Sequence, residues 1–335
     1  MATTVDSAFN YFMTNFVNLD RDESTLARAS HDWLINQIHG FGGKITDFPK
    51  LYSDMDIDFG SFARKTKIRE LDDIDLIIVL SAEGSLYEET YFSGIKMNVP
   101  YTASTLLKYC HDGTNTINSK KIINKFVSSL STVPNYAKAE VHRKQEAATL
   151  DLKSYAWTFD IVPAFFTKPD YFNKTYYLIP DGLGNWKKTD PRIDKDRVTQ
   201  INQFHDGNIL NVIRAIKYWN KRPTMPSMPS YLLENMILNY YNSNISPKAS
   251  KYVDLEIVNI LNHIHTAVFF AVNDPKGIQG DLNTISGDDK LKISTRAYLD
   301  FTKAIEAREF EHNSNHEAAI KKWGEVFGPF FPSFG

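Results

Sequence analysis

The chain has 335 residues, with 38 Lys and Arg against 40 Asp and Glu, for a net charge of −2. Apolar residues make up 42% and charged residues 23%, the make-up of a folded chain with room for two domains or lobes. Balanced charge argues against a general nucleic-acid coat, and a single cysteine, Cys110, excludes an internal disulfide or a zinc site of several thiolates.

Met1 to Asn18 lacks the basic start and apolar run of a signal peptide. The longest apolar stretches, Leu76 to Leu80 and Ala267 to Val272, fall far short of the roughly 20 residues that span a bilayer. A cytoplasmic protein with no membrane partner is expected.

Leu26, Trp33, Leu34 and Ile38 set a helical spacing over Asp22 to Ile38 that stops at Gly40, Gly42 and Gly43. Met55 to Phe59 alternates apolar and acidic residues, and Leu71 to Leu80 reads as a buried strand. Helices follow around Thr102 to Tyr109 and over Ser119 to Leu130. Ala137 to Val162 then predicts two or three strands, the last from Tyr155 to Val162 and stopping before Pro163.

The second half is helical: Asn208 to Trp219, Ser230 to Tyr241, Tyr252 to Phe269 and Lys290 to Glu309. The final helix opens on Ser314-Asn315-His316-Glu317, a capping-box pattern, and ends near Gly328. The expected plan is α+β: a mixed-sheet lobe over residues 1–204, a helical lobe over 205–335, and a cleft between them.

Phe59-Gly60-Ser61 precedes Asp73-Ile74-Asp75 by a short span. On a strand, side chains two apart share a face, so Asp73 and Asp75 present paired carboxylates. Like charges that close repel unless a cation lies between them, and Mg²⁺ suits carboxylates together with phosphate oxygens and water. Glycine lets the turn at Gly60-Ser61 bring backbone N–H groups close to an anion. Alone, each part is more simply a turn or a solvated strand end. A third acid, Asp160 in Thr158-Phe-Asp-Ile-Val-Pro163, stands by itself in an apolar strand, which is costly without a partner. Three strand carboxylates and an anion-facing turn point to two-metal phosphoryl transfer. Period-two geometry puts Asp72 on the other face. Asp54, Asp56 and Asp58 read as a solvated strand face, and His142, His205, His263 and His265 as structural or surface histidines.

Gly60-Ser61, Asp73-x-Asp75 and Asp160 together resemble the signature of the polymerase β-like nucleotidyltransferases. More narrowly, the chain is similar to the bacterial CD-NTases, relatives of oligoadenylate synthase and cyclic GMP-AMP synthase. The likeness runs through Gly60-Ser-Phe-Ala-Arg-Lys-Thr66, Ile213-Arg-Ala-Ile-Lys-Tyr-Trp219, Pro229-Ser-Tyr-Leu-Leu-Glu234, Asn273-Asp-Pro275 and the tail Trp323 to Pro332. Lys65 departs from it, since many relatives carry glycine there.

The resemblance implies that Asp73 and Asp75 bind two Mg²⁺ ions, with Mn²⁺ as the alternative, and that Asp160 binds one and helps activate the acceptor hydroxyl. It gives the donor triphosphate to Gly60 and Ser61, its terminal phosphates to Lys217, a phosphate contact to Ser230 and base stacking to Tyr231. The plain alternatives are a solvent-facing helix lysine, an N-cap and a core aromatic. The implied reaction joins nucleoside triphosphates (ATP, with GTP or others) into a cyclic di- or trinucleotide that signals in CBASS anti-phage defence. A linear-oligonucleotide synthase, a toxin that nucleotidylates RNA or protein, and a non-catalytic nucleotide sensor are the rivals. The scattered pairs Lys120-Lys121, Lys187-Lys188 and Lys321-Lys322 and the lone cysteine imply no activating nucleic acid. CBASS accessory proteins are implied partners, with conjugation through Gly335 as a further route, although a bare chain end is the simpler reading of that glycine.

Overall fold

The computed structural model describes residues 2–90 and 94–335. Among them the longer helices are α1 (Val5–Phe12), α2 (Arg21–His39), α3 (Ser119–Leu130), α4 (Pro191–Phe204), α5 (Ile209–Lys221), α6 (Ser230–Ser243), α7 (Val253–Ala267), α8 (Gly287–His312) and α9 (His316–Phe327). The strands are β1 (Ile57–Phe59), β2 (Asp73–Leu80), β3 (Leu86–Thr90), β4 (Gly94–Asn98), β5 (Glu140–Lys144), β6 (Ala147–Asp151), β7 (Thr158–Phe166), β8 (Tyr177–Pro180) and β9 (Trp186–Thr189). Contacts divide the chain into two compact units. A sheet unit holds residues 21–63 and 70–192. A helical unit holds the segment through Asp20, residues 64–69 and 193–335.

In the sheet unit the strands run in the order β1-β2-β7-β8-β9-β4-β3, with β6 on β7 and β5 on β6. β2 and β7 pair in parallel, while the other neighbours are antiparallel. β2 is buried on both faces beyond its first residues, which is why Leu76 to Leu80 reads as an unbroken apolar run. On one face Ile77, Val79, Val162 and Ala164 form a small core with Ile57 and Phe59 packed against it.

The third acidic strand does not stop at Pro163 as expected; β7 continues through it to Phe166. Thr158 N–H donates to Asp72 O on the β2 side, and Thr167 N–H donates to Tyr176 O on the opposite side. Alternation therefore aims the N–H that Pro163 lacks away from β2. On that edge the β6 pairing ends at Ile161 and the β8 pairing starts at Phe165, so no donor is needed.

The helical unit has one large core that includes Ile213, Ile216, Trp219, Leu233, Ile260, Trp323 and Phe327. α1 belongs to it: Phe9 meets the rings of Trp323 at 5.0 Å and Phe331 at 5.1 Å. α4 contributes Val198 and Ile201. The unit boundaries thus differ from the expected 1–204 and 205–335 split, because the apolar faces of α1 and α4 pack with later helices. His205 is fully buried, accepting the Ala249 N–H at Nδ1 (3.0 Å), so Nε2 carries the proton toward Tyr241 O (3.1 Å). Gly335 N–H donates to Ala2 O at 3.2 Å, beside the Ala2–Phe334 bridge.

The last helix starts one step later than its expected capping box. Ser314 adopts a left-handed φ of 60°, and Asn315 is the N-cap, its side chain accepting the Ala318 N–H at 3.1 Å. Helix α8 also outruns its forecast at both ends, capped by Ser286. Strands β3, β4, β8 and β9 and helix α4 had no counterpart in the expected plan. Among the described residues no helix is long and apolar enough to cross a membrane.

Candidate active site

The sheet unit brings the three aspartates to one end of one face. Asp75 and Asp160 are direct register partners on the parallel neighbours β2 and β7, and Asp73 lies two residues before Asp75, opposite Thr158. Ile77, Val79, Val162 and Ala164 continue the same face as its apolar floor. All three aspartates are half-buried, whereas Asp72 is exposed. Asp160 Oδ1 accepts a 2.6 Å hydrogen bond from the Thr149 hydroxyl on β6.

Gly60 follows β1 and opens the single helical turn Gly60–Ala63 that contains Ser61. Its φ is 71°, and a β-carbon there would lie 1.8 Å from Asp75 Oδ2. Only glycine permits this contact between turn and carboxylate. Lys65, the departure from the family pattern, also adopts a left-handed φ of 61° and is exposed. The backbone keeps the conformation glycine favours, so the lysine carries a small local strain.

The donor set suits a hard divalent cation, since it consists of carboxylate oxygens. Among the described residues no three His, Cys, Asp or Glu side chains are gathered closely enough to hold a metal by themselves. That is compatible with Mg²⁺, which uses one or two carboxylates and completes its shell with substrate phosphates and water.

The alternating acids ahead of the turn are not simply solvated. Asp56 Oδ1 accepts the Val79 N–H and Oδ2 pairs with His39 Nε2, both at 2.7 Å. Burial pushes the Asp56 carboxyl up from its ordinary range, against the hydrogen bonds from Val79 and His39. Asp58 pairs with His31 Nε2 at 2.7 Å. Both pairs tie α2 to the segment leading into Gly60.

Lys217, Ser230 and Tyr231 all lie in the helical unit. Lys217 is 5% exposed, not solvent-facing: its Nζ donates to Glu234 Oε2 (2.7 Å), Thr66 O (3.1 Å) and Thr66 Oγ1 (3.1 Å). Glu234 also receives Arg64 Nε at 2.6 Å and the Thr66 hydroxyl at 2.7 Å. Burial would raise the Glu234 carboxyl, but Lys217 and then Arg64 overcome it and hold the group at about 2. Desolvation lowers Lys217 despite its partner.

Ser230 is the first residue of α6, not its N-cap, which is Pro229; Ser230 is exposed. Tyr231 is half-buried rather than core. Its hydroxyl donates to Asp194 Oδ1 at 2.6 Å, contacts Asp274 Oδ1 at 3.1 Å, and accepts from Lys276 Nζ. Arg64 and Lys276 stand over its ring at 5.7 and 4.3 Å from the centroid. Glu234 and Asp274 lie within two of the stretches that carry the resemblance, Pro229–Glu234 and Asn273–Pro275, which implies no role for either. Thr149 left no signal, because its meeting with Asp160 depends on a register between strands.

No protein-family model matches the chain. A probable cyclic nucleotide synthase of Bacillus cereus strain VD146 is 46% identical over 334 residues, 99% of each chain. The fold is shared with E. coli MS115-1 CdnC determined with ATP, at TM-score 0.70 and 15% identity over 98% of this chain and 99% of that one. CdnC in complex with HORMA-deltaN gives TM-score 0.69 at 15% identity over 98% of each chain. Apo DncV of Vibrio cholerae gives TM-score 0.69 at 13% identity, covering 98% of this chain and 96% of that one. The chain is a nucleotidyltransferase and belongs to the bacterial cyclic nucleotide synthases, the CD-NTases.

Proposed function

We propose that this chain condenses nucleoside triphosphates into a cyclic di- or trinucleotide messenger, with pyrophosphate released at each step. The observation that carries the reading is the register pairing of Asp75 with Asp160, with Gly60 packed against Asp75 too closely for any side chain. Asp73, Asp75 and Asp160 would hold two Mg²⁺ ions, Mn²⁺ being the alternative. When bound, the pair supplies positive charge to the attacking and leaving oxygens of an in-line displacement.

The protein's own groups do the rest. Gly60 and Ser61 face the donor triphosphate, and Asp160 helps accept the proton of the attacking ribose hydroxyl. Ser230, exposed at the start of α6, adds a phosphate contact, while Tyr231 stacks on the donor base. Lys217 already directs its three N–H donors at Thr66 and Glu234. In this reading it holds the segment after the Gly60 turn rather than touching phosphate. A role in CBASS defence, accessory-protein partners of the HORMA kind that CdnC binds, and conjugation at Gly335 belong to the same reading.

The test incubates the purified protein with all four triphosphates and Mg²⁺ and identifies products by mass spectrometry before and after phosphatase. A phosphatase-resistant product, lost in Asp75→Asn, is expected. A phosphatase-sensitive product would favour the linear-synthase reading, and label transferred to added RNA or protein the toxin. A biological effect that survives Asp75→Asn would favour the sensor. Dependence on added DNA or RNA would overturn the absence of a nucleic-acid activator.

A further inference from the structure

We infer that Thr149 is a positioning residue for the third carboxylate, fixing which oxygen of Asp160 faces the reacting groups. The inference rests on the functional reading above. Thr149 and Asp160 are register partners across β6 and β7, and the threonine hydroxyl donates to Asp160 Oδ1 at 2.6 Å. The threonine hydroxyl is the donor and the carboxylate oxygen the acceptor.

The threonine cannot drift. Thr149 is 4% exposed, and its sequence neighbours Ala148 and Leu150 are fully buried on the opposite face. A one-residue slip would put those apolar side chains beside Asp160 and turn Thr149 and Asp151 into the apolar packing on the opposite face, so packing pins the register. On its other edge β6 is held by β5, where His142 pairs with Thr149.

The consequence follows from carboxylate geometry. Asp160 has β2 on one side and β6 on the other. With Oδ1 drawn toward β6 by Thr149, the planar group turns Oδ2 toward β2, where Asp75 is its partner. Without the hydroxyl, the carboxylate can rotate and present either oxygen to either side. Thr149 therefore acts through Asp160 and touches no substrate itself.

The experiment compares wild type with Thr149→Val, Thr149→Ser and Asp160→Asn. Readouts are kcat, KM for ATP, the Mg²⁺ concentration giving half-maximal rate, and the melting temperature. Valine keeps the shape and removes the donor. A lost hydrogen bond to a charged group predicts a kcat lower by about 10- to 100-fold, with KM nearly constant. The Mg²⁺ requirement should rise and melting stay within ~2 °C. Serine should recover most of the activity. The inference falls if Thr149→Val keeps kcat within twofold, or if serine fails as valine does. It also falls if the loss tracks a lower melting temperature. A wild type without metal-dependent nucleotidyl transfer sinks the functional reading itself. An active wild type, an inactive Asp160→Asn and an unchanged Thr149→Val sink this inference alone.

Discussion

One carboxylate in the helical unit and three in the sheet unit sit on regular secondary structure in opposite surroundings. Glu234 in the helical unit is 1% exposed and receives hydrogen bonds from Arg64, Thr66 and Lys217. It is a closed ion cluster whose charge is consumed inside the fold. Asp73, Asp75 and Asp160 in the sheet unit are half-buried at the polar end of an otherwise apolar face. A carboxylate whose donors are all supplied from within braces structure. One left partly open to solvent at a strand end can serve a ligand.

The largest effect should come from breaking the closed cluster. Glu234→Gln leaves Lys217 buried opposite a neutral amide, a defect that costs about 3–5 kcal/mol. Denaturant unfolding would measure it, and adding Lys217→Met should return part of the loss by replacing a stranded charge with apolar volume. Asp75→Asn should leave the unfolding midpoint unchanged or slightly higher while abolishing product. If Asp75→Asn destabilises as much as Glu234→Gln, the distinction between the two carboxylate groups fails. Acid should tell the same story. Because Glu234 is held at about 2, its contribution is complete above the unfolded glutamate value of ~4.3 and is lost as pH falls from there through about 2.

A smaller effect tests the open site. Gly60→Ala must adopt a φ of 71° and displace Asp75 Oδ2, which lies 1.8 Å from the ideal β-carbon. The backbone strain is about 1–2 kcal/mol. Moving a carboxylate by an ångström should lower kcat by about 100-fold. Stability measured beside activity separates the two: a large activity loss with a small stability loss marks a contact needed for chemistry.

The open site was far more legible in the sequence than the closed one. Asp73-x-Asp75 and the lone Asp160 show their shared face through period-two alternation alone, and Gly60 announces a turn. The α+β plan and most long helices follow from apolar periodicity in the same way. Glu234, by contrast, looks like a helix-surface residue until the pairing with Lys217, 17 residues earlier, and Thr66, 168 residues away, is known. The burial of Lys217 against Glu234 and Thr66 is hidden for the same reason, since burial cannot be read from a lysine. The short strands β3, β4, β8 and β9 escaped because four or five residues hold too few alternations. Pro163 misled for a local reason: its missing N–H points at a gap between two partner strands.

The smallest expected effect concerns a third kind of carboxylate, the acids that tie α2 to β1. His31 lies between one of them and its own neighbour on α2, with Nε2 2.7 Å from Asp58 Oδ1 and Nδ1 3.0 Å from Asp32 Oδ1. Burial works against its charged form, but Asp58 and then Asp32 outweigh it, so the imidazole is raised above its ordinary value of 6.5. A raised folded value means the pair contributes fully below about 6.5 and loses its contribution as pH climbs through the folded value. Wild type should therefore melt about 1–2 °C higher at pH 6 than a His31→Gln variant, with the gap closing by pH 8.5. Asp58 is half-exposed, and screening by solvent keeps the effect small. A gap that persists undiminished at pH 8.5 would assign His31 to packing rather than charge. The link between α2 and β1 would then lie with the closed, structural cluster of Glu234, with no proton of its own to report.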